Sequence, residues 1–159
     1  MPSLRLTYSL LQRIRLGHEN IRAILEDHIT AQGNKRVGML NPKMSPALPS
    51  QYVDTMTELY TMFKALIGEA FLEDMHFVGS LDSACRNVVN SSNRGGGNLI
   101  EVPNVLAKFC DDCLRKSSKH LGDADIDERL NVLINIFKYM DDKDVFQKMY
   151  SKLLAKRCV

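Results

Sequence analysis

The sequence predicts an all-α protein, and three observations favour that class. Apolar residues recur at helical spacing over most of the chain, whereas the alternating pattern of strands is almost absent. Hydrophobic residues make up 45% of the 159 residues and charged residues 25%, which is the balance of a folded chain. Clusters rich in Gly, Pro and Asp separate the periodic runs. We therefore expect about seven helices.

The first half is predicted to form four helices and one long loop. The first helix is expected to end at Gly17, and a second apolar stripe ends before Gly33. The chain from Gly33 to Ser50 contains three prolines and is predicted to be a loop. The expected apolar faces are Leu10, Leu11 and Ile14; Ile21, Ile24, Leu25, His28 (a packed histidine) and Ile29; Val53, Met56, Tyr60, Phe63, Leu66, Ile67, Ala70 and Phe71; and Phe77, Leu81, Ala84, Cys85 and Val88.

The second half begins after a glycine-rich break. The run SSNRGGGN, residues 91–98, is predicted to be a flexible connector, because three consecutive glycines leave the backbone free. It lacks the Lys-Ser/Thr ending and the preceding strand of a phosphate-binding loop. Pro103 suits the first turn of the next helix. Its expected buried residues are Leu106, Phe109, Cys110, Cys113 and Leu114; those of the following helix, which begins at Asp123 or Asp125, are Ile126, Leu130, Leu133, Ile134 and Phe137.

The closing helix follows the acidic break at 141–144. One of its faces is apolar, and we expect that face to pack on the helices of residues 103–140 with part of its apolar surface poorly covered. The residues of this face are Val145, Phe146, Met149, Tyr150, Leu153 and Leu154.

Composition and charge exclude several classes of function. No apolar run approaches the ~20 residues of a membrane span, and the N-terminus does not read as a secretory signal, so we expect a cytoplasmic and nuclear protein. The net charge is +2, but it is unevenly distributed. Residues 50–92 carry six acids against Lys64 and Arg86, and the last helix carries five bases against Asp144. A uniformly basic stripe for nucleic acid is absent, and this distribution favours protein partners.

Catalytic and metal chemistry are not indicated. The pair Cys110 and Cys113 has the CxxC spacing of zinc or redox sites, yet no second ligand pair has matching spacing and both residues lie on the apolar side of a helix. Core thiols are the favoured interpretation, with a metal or redox role as the alternatives. The four histidines are dispersed, and none forms a nucleophile–base motif with a cysteine. We predict no catalytic residue, no metal, no cofactor and no enzyme activity.

The run RKSSKH at 115–120 is the one candidate binding site. Cations at the C-terminal end of a helix complement its dipole, so simple capping is one interpretation. The other is a basic patch for an acidic segment of a partner protein. The residues alone leave both open.

Several segments resemble the cullin family, in the same order as in cullins and over Leu4 to Val159. The last of these segments is the most specific. The residues at 82–85 and 116–119 are most similar to those of the SCF-type cullin. The segments are LLQRI, LEDHITAQG, YVDTMTELYTMFKALI, FVGSLDSACRNVVN, LAKFCDDCLRKSSK and FKYMDDKDVFQKMYSKLLAKR. Cys113 and Cys158 depart from the family pattern, which usually has leucine at both positions.

The resemblance implies a non-catalytic scaffold segment of a cullin-RING ubiquitin ligase, acting in ubiquitin-dependent protein degradation. Residues 1–92 resemble the last cullin repeat, 93–102 the connector, and 103–159 the start of the four-helix bundle that opens the C-terminal domain. The regions that bind the adaptor and the RING-box subunit are not matched, so we expect that the chain alone does not assemble a ligase and is a truncated product, gene fragment or expression fragment.

The resemblance also assigns a role to the basic run. In SCF-type cullins a basic canyon attracts the acidic tail of a ubiquitin-conjugating enzyme, and its lysines match Arg115, Lys116 and Lys119 of this chain. The alternative function is a free-standing helical adaptor that binds an acidic protein segment through the same residues. Neither reading involves nucleic acid or a membrane.

Overall fold

The computed structural model describes residues 2–14, 17–43, 46–91, 100–117 and 123–158, with side chains to 115 in the fourth range and from 124 in the fifth. These ranges contain seven α-helices and no strand, so the all-α prediction is confirmed. The helices are α1 (Pro2–Leu11), α2 (Gly17–Gly38), α3 (Leu48–Phe71), α4 (Met75–Val89), α5 (Val102–Ser117), α6 (Asp123–Phe137) and α7 (Lys143–Arg157). Within the same ranges, none of the helices combines the length and apolar character needed to span a bilayer.

Helix α3 is the centre of the molecule, because it contacts α1 and α2, which precede it in the chain, and α4, α5 and α6, which follow it. Most of its predicted apolar face is buried, whereas Tyr60 and Leu66 are half-buried. Tyr52 and Leu59, which were not assigned to that face, are completely buried as well. The buried residues form one continuous core that runs from Tyr8 in α1 to Met140 after α6. The helices before and after residues 92–99 therefore share one core.

An aromatic cluster joins α1 to the α3–α4 turn. The rings of Phe71 and Phe77 stack with centroids 4.0 Å apart, and Tyr8 packs edge-on against both. Asp74 caps α4 by accepting a hydrogen bond from the backbone N–H of His76 at 2.8 Å, and it accepts a second from the Tyr8 hydroxyl at 2.9 Å. This carboxylate fixes the start of α4 and the position of α1 together.

The first two helices differ from their predicted bounds. Helix α1 ends at Leu11, and Gly17 begins α2 instead of ending α1. Helix α2 continues through Gly33 to Gly38, so the predicted loop from Gly33 to Ser50 was too long at both ends. Gly33 is tolerated inside the helix because it lies against α4: a Cβ atom there would be 2.5 Å from Val88 Cγ2. Close packing thus outweighs the cost of a helical glycine, about 1 kcal/mol.

Several apolar positions assigned to the core are exposed. Leu10, Ile14 and Ile24 lie at the surface in the first half, and so does Ile134 in α6. His28 is also exposed, although its ring packs edge-on against Phe63 at 6.0 Å. Each of these residues follows the helical period of a buried face. Each is exposed because, among the described residues, no neighbouring helix covers that part of its own segment.

Of the ten buried positions predicted in α5 and α6, five are buried, four are half-buried and Ile134 is exposed. Leu106, Phe109 and Cys113 of α5 are buried, whereas Cys110 and Leu114 are half-buried. Residues 92–99 of the predicted connector lie outside the described residues. Ile100 and Val102, at its end, are core residues. The division into units at 1–92 and 103–159 stays a prediction.

Candidate functional site

Of the three predicted binding residues, the structure describes the side chain of Arg115 alone. It lies in the last turns of α5 with 60% of its side chain exposed. Its guanidinium group forms ion pairs with Asp111, from Nε to Oδ2 at 3.0 Å, and with Asp112 at 3.0 Å. Lys116 belongs to α5, but its side chain lies outside the described residues, and all of Lys119 does. Whether the three form one patch stays a prediction.

Asp111 is the buried centre of this region, with its side chain only 5% exposed. Besides Arg115, it pairs with Arg157 near the end of α7, where Nη2 lies 2.8 Å from Oδ1. The same guanidinium donates a hydrogen bond to the Asp111 carbonyl oxygen at 2.7 Å. A buried carboxylate requires such charged partners. We call Asp111, Arg115 and Arg157 the α5–α7 clasp, because it ties the last turn of α7 to α5.

A surface cavity of about 330 Å³ lies beside the clasp. Its walls come from the first turn of α3 and the segment before it, from α5 and from α7, and its charged side chains are two acids and two bases. The lining residues are Pro46, Pro49, Lys108, Asp111, Asp112, Arg115 and Leu153. Since the acids offset the charge of Arg115, the described part of this surface is mixed in charge. The lining of the cavity holds no nucleophile–base pair.

Helix α7 packs on α5, as the sequence predicts, and part of its apolar face remains uncovered. None of its residues is buried, and Val145 and Leu154 are exposed. Phe146 makes the best contact, with its ring centroid 5.0 Å from that of Phe137. On the outer side, the lysines at 148, 152 and 156 are all exposed. Helix α7 is therefore held by few apolar contacts and by the clasp.

Cys85 and Cys113 are buried, Cys110 is half-buried and Cys158 is exposed, so the core-thiol interpretation fits Cys113 fully and Cys110 in part. Cys113 is buried in the core, and burial together with neighbouring Cys113 raises the pKa of Cys110. Burial and the nearby Asp82 carboxylate raise the pKa of Cys85 to about 12, so its thiol is protonated at neutral pH. The described residues contain no cluster of three His, Cys, Asp or Glu side chains placed to hold a metal ion.

A polar joint connects α4 to the turn between α6 and α7. The side chain of Asn90, almost fully buried, donates to the carbonyl oxygens of Arg86 and Tyr139, both at 2.9 Å, and accepts from the backbone N–H of Asp141 at 3.0 Å. Next to it, the Tyr139 hydroxyl donates to Asp82. Burial is the largest cause that raises the pKa of Tyr139, and the bond to Asp82 is the second. The hydroxyl therefore keeps its proton and stays a donor.

Sequence reasoning missed both the clasp and the joint. The spacing of Asp111 and Arg115, four residues apart in a helix, could have suggested one ion pair. Asn90, at the end of α4, could have suggested a cap. Their remote partners, Arg157 and Tyr139, are 46 and 49 residues away in the chain and leave no local signal.

Comparison with known proteins gives one consistent family. The model of the Cullin alpha solenoid domain matches residues 1–159. Cullin-1 of Dictyostelium discoideum is 36% identical over an alignment that covers 100% of this chain and 21% of that protein. Cullin-1 of Schizosaccharomyces pombe is 36% identical, covering 96% and 20%, and Cullin-2 of Caenorhabditis elegans is 34% identical, covering 98% and 19%. The chain thus spans about a fifth of the length of these curated relatives.

Proposed function

This chain belongs to the cullin family, and we propose that it acts as a non-catalytic scaffold segment of a cullin-RING ubiquitin ligase. The observation that carries the proposal is the single core that joins α1–α4 to α5–α7. A scaffold works by fixing the distance and orientation of the groups it carries, which requires that its parts do not move independently.

The polar joint supports this role. Asn90 makes three hydrogen bonds that connect the end of α4 with Tyr139 and Asp141. Such bonds are directional, so they restrict the angle between the two sets of helices more than apolar packing alone. Arg86 adds an ion pair to Asp141 at 3.5 Å across the same joint.

A segment replacement would test the scaffold proposal. Residues 1–159 would replace the aligned segment of Dictyostelium Cullin-1, and the chimera would be expressed in cells that lack that cullin. We expect rescue of growth by the chimera, and weaker rescue when Asn90 is changed to alanine. Asn87→Ala, a half-buried neighbour on α4 that does not bond to the α6–α7 turn, is the matched control. A folded, normally expressed chimera that gives no rescue would contradict the proposal.

The finer assignment is to the SCF type, and it rests on the residue pattern at 82–85 and 116–119. We propose an adaptor and a RING-box subunit as partners of the ligase, and that residues 1–159 alone retain neither. The test is co-purification of the isolated chain with each subunit. Stoichiometric retention of the RING-box subunit by the 159-residue chain would refute this assignment of binding regions.

We propose that Arg115, Lys116 and Lys119 attract the acidic tail of a ubiquitin-conjugating enzyme. Because Asp111 and Asp112 offset the charge of Arg115, the two lysines carry most of the attraction in this proposal. An attraction of this kind raises the association rate more than the final affinity.

Charge reversal separates this role from simple helix capping. Lys116→Glu with Lys119→Glu should slow association with an acidic peptide by about tenfold at low salt, and the effect should shrink as salt is added. The control reverses Lys148 and Lys152 on α7, which should leave the rate within about twofold. If the 116/119 variant associates at the wild-type rate in low salt, the run is only a C-cap.

A further inference from the structure

A second cavity, about 210 Å³ in volume, lies between α3, α4 and α6 on the seam that joins the two sets of helices. Its floor is apolar and comes from Met56 of α3, Cys85 of α4 and Ile136 of α6, each of which is at least nine-tenths buried. None of the functions proposed above uses this cavity.

The rim of the cavity is cationic and aromatic. The ammonium groups of Lys64 and Lys138 lie 5.7 and 6.0 Å from the ring centroid of Tyr60, so two cations share one ring. Lys138 also lies 4.7 Å from the ring centroid of Tyr139. Both lysines line the cavity and keep part of their surface in solvent. Two cations on the rim of one cavity make the potential at its mouth positive, which favours an anion there.

One acid faces the rim. Asp82 lies 3.9 Å from the Lys138 ammonium and accepts the hydrogen bond of the Tyr139 hydroxyl, so it offsets part of the charge of Lys138. Lys64 forms no ion pair with any residue that the structure describes. The rim therefore has an excess of one positive charge, and that charge is on Lys64.

These features define the ligand chemistry. A cation would be repelled by the two lysines, and an inorganic anion would leave the apolar floor unused. A neutral apolar molecule would use the floor but not the cationic rim. Only a molecule with an apolar body and one anionic group uses both. Because the volume is below the roughly 300–1,000 Å³ of pockets for drug-sized ligands, the ligand is of fragment size.

We propose that this cavity binds a small organic anion, with its aromatic or short aliphatic body on the floor and its carboxylate at the rim beside Lys64. The floor comes from α3, α4 and α6 together, so a bound ligand contacts both sets of helices. Binding to the folded state alone stabilises that state in proportion to the logarithm of ligand concentration. The ligand would thus raise the thermal midpoint of the whole chain.

The test compares 3-phenylpropionate with 3-phenylpropionamide, which has the same body and no charge. Methyl NMR signals of Met56 and Ile136 report binding at the floor. We expect saturable shifts with 3-phenylpropionate in the millimolar range, several-fold weaker binding of the amide, and a raised thermal midpoint with the carboxylate.

Three variants make the test specific. Lys64→Gln should weaken 3-phenylpropionate about fivefold, the size expected for one partly exposed ion pair, and leave the amide unchanged. Lys148→Gln on α7 is the matched control and should change neither. Val132→Phe, which fills the cavity from its α6 wall, should abolish both while circular dichroism shows the helices intact.

The proposal is overturned if neither probe shifts the floor methyl groups of the folded protein, or if carboxylate and amide bind equally and Lys64→Gln has no effect. The first result would mean that the cavity is closed to ligands, and the second that it is only an apolar gap.

Discussion

Helices α4 and α7 are both 15 residues long and both carry apolar residues at helical spacing, although α4 segregates them more strongly to one face, yet they are held in different ways. Helix α4 packs against α2 and α3 and buries seven residues, whereas α7 packs mainly on α5 and buries none. Amphipathic periodicity therefore predicts that a helix forms, but the number of neighbours determines how strongly it is held. We expect α4 to unfold with the whole core and α7 to open at lower cost.

The largest expected difference comes from removing one aromatic ring from each helix. Phe77 of α4 is completely buried and stacks on Phe71. Phe77→Ala should lower the free energy of unfolding by about 3–5 kcal/mol, because the ring leaves a cavity inside a packed core. Phe146→Ala in half-exposed α7 should cost only about 1 kcal/mol, since water can fill the space. Urea unfolding followed by circular dichroism measures both.

Equal losses for the two variants would show that α7 is as well held as α4. Ile134→Ala is the control for truncation itself: it lies on the exposed side of α6 and should change the free energy of unfolding by less than about 0.5 kcal/mol.

The second prediction concerns the joint between the two sets of helices. Asn90→Ala removes three hydrogen bonds and leaves the buried carbonyl oxygen of Tyr139 and the part-buried N–H of Asp141 unpaired. We expect a loss of about 2–3 kcal/mol. Hydrogen exchange should also become faster in α6 and α7 than in α3 and α4, if the joint couples the two regions. Uniform acceleration in all four helices would mean that the joint contributes only to global stability.

The third prediction compares two glycines. Gly33 of α2 has no room for a methyl group beside Val88 and Leu59, whereas a Cβ atom on Gly79 of α4 would meet nothing within 4 Å. Gly33→Ala should destabilise the protein by about 1–2 kcal/mol despite the better helix propensity of alanine. Gly79→Ala should stabilise it by about 0.5–1 kcal/mol. Opposite signs of the two changes in urea midpoint are the result to check; stabilisation by both would show that α2 can move away from α4.

The sequence predicted α3 and α4 best, because their apolar stripes are long and neighbours cover them. It predicted α2 less well, since Gly33 looks like a helix end and becomes a packing contact only when α4 is present. In α6 the exposed Ile134 was assigned to the core and the buried Ile136 was not. Both fit a helical period, and the choice between them depends on where α3 lies.

The binding residues show the same limit. Arg115 was identified as a candidate from charge and its place near a helix end, but the ion pairs that offset its charge were not. Arg157 was counted among the five bases of the last helix with no partner assigned, and its contact with buried Asp111 required the packing of α7 on α5. Local spacing predicts pairs within a helix, and pairs between helices need the fold.

The smallest expected effect tests whether the clasp holds α7. Arg157 is 30% exposed and contacts both the carboxylate and the carbonyl oxygen of Asp111. Arg157→Gln should lower the free energy of unfolding by about 1 kcal/mol, and Arg115→Gln by at most about 0.5 kcal/mol because its side chain is mostly exposed. The Arg115 loss should shrink at 1 M NaCl, where the Debye length is about 3 Å, and the Arg157 loss should shrink less because Asp111 is buried. Hydrogen exchange locates the effect: faster exchange confined to α7 in the Arg157 variant supports the clasp, whereas unchanged exchange there means that apolar contacts such as Phe146 with Phe137 hold α7 by themselves.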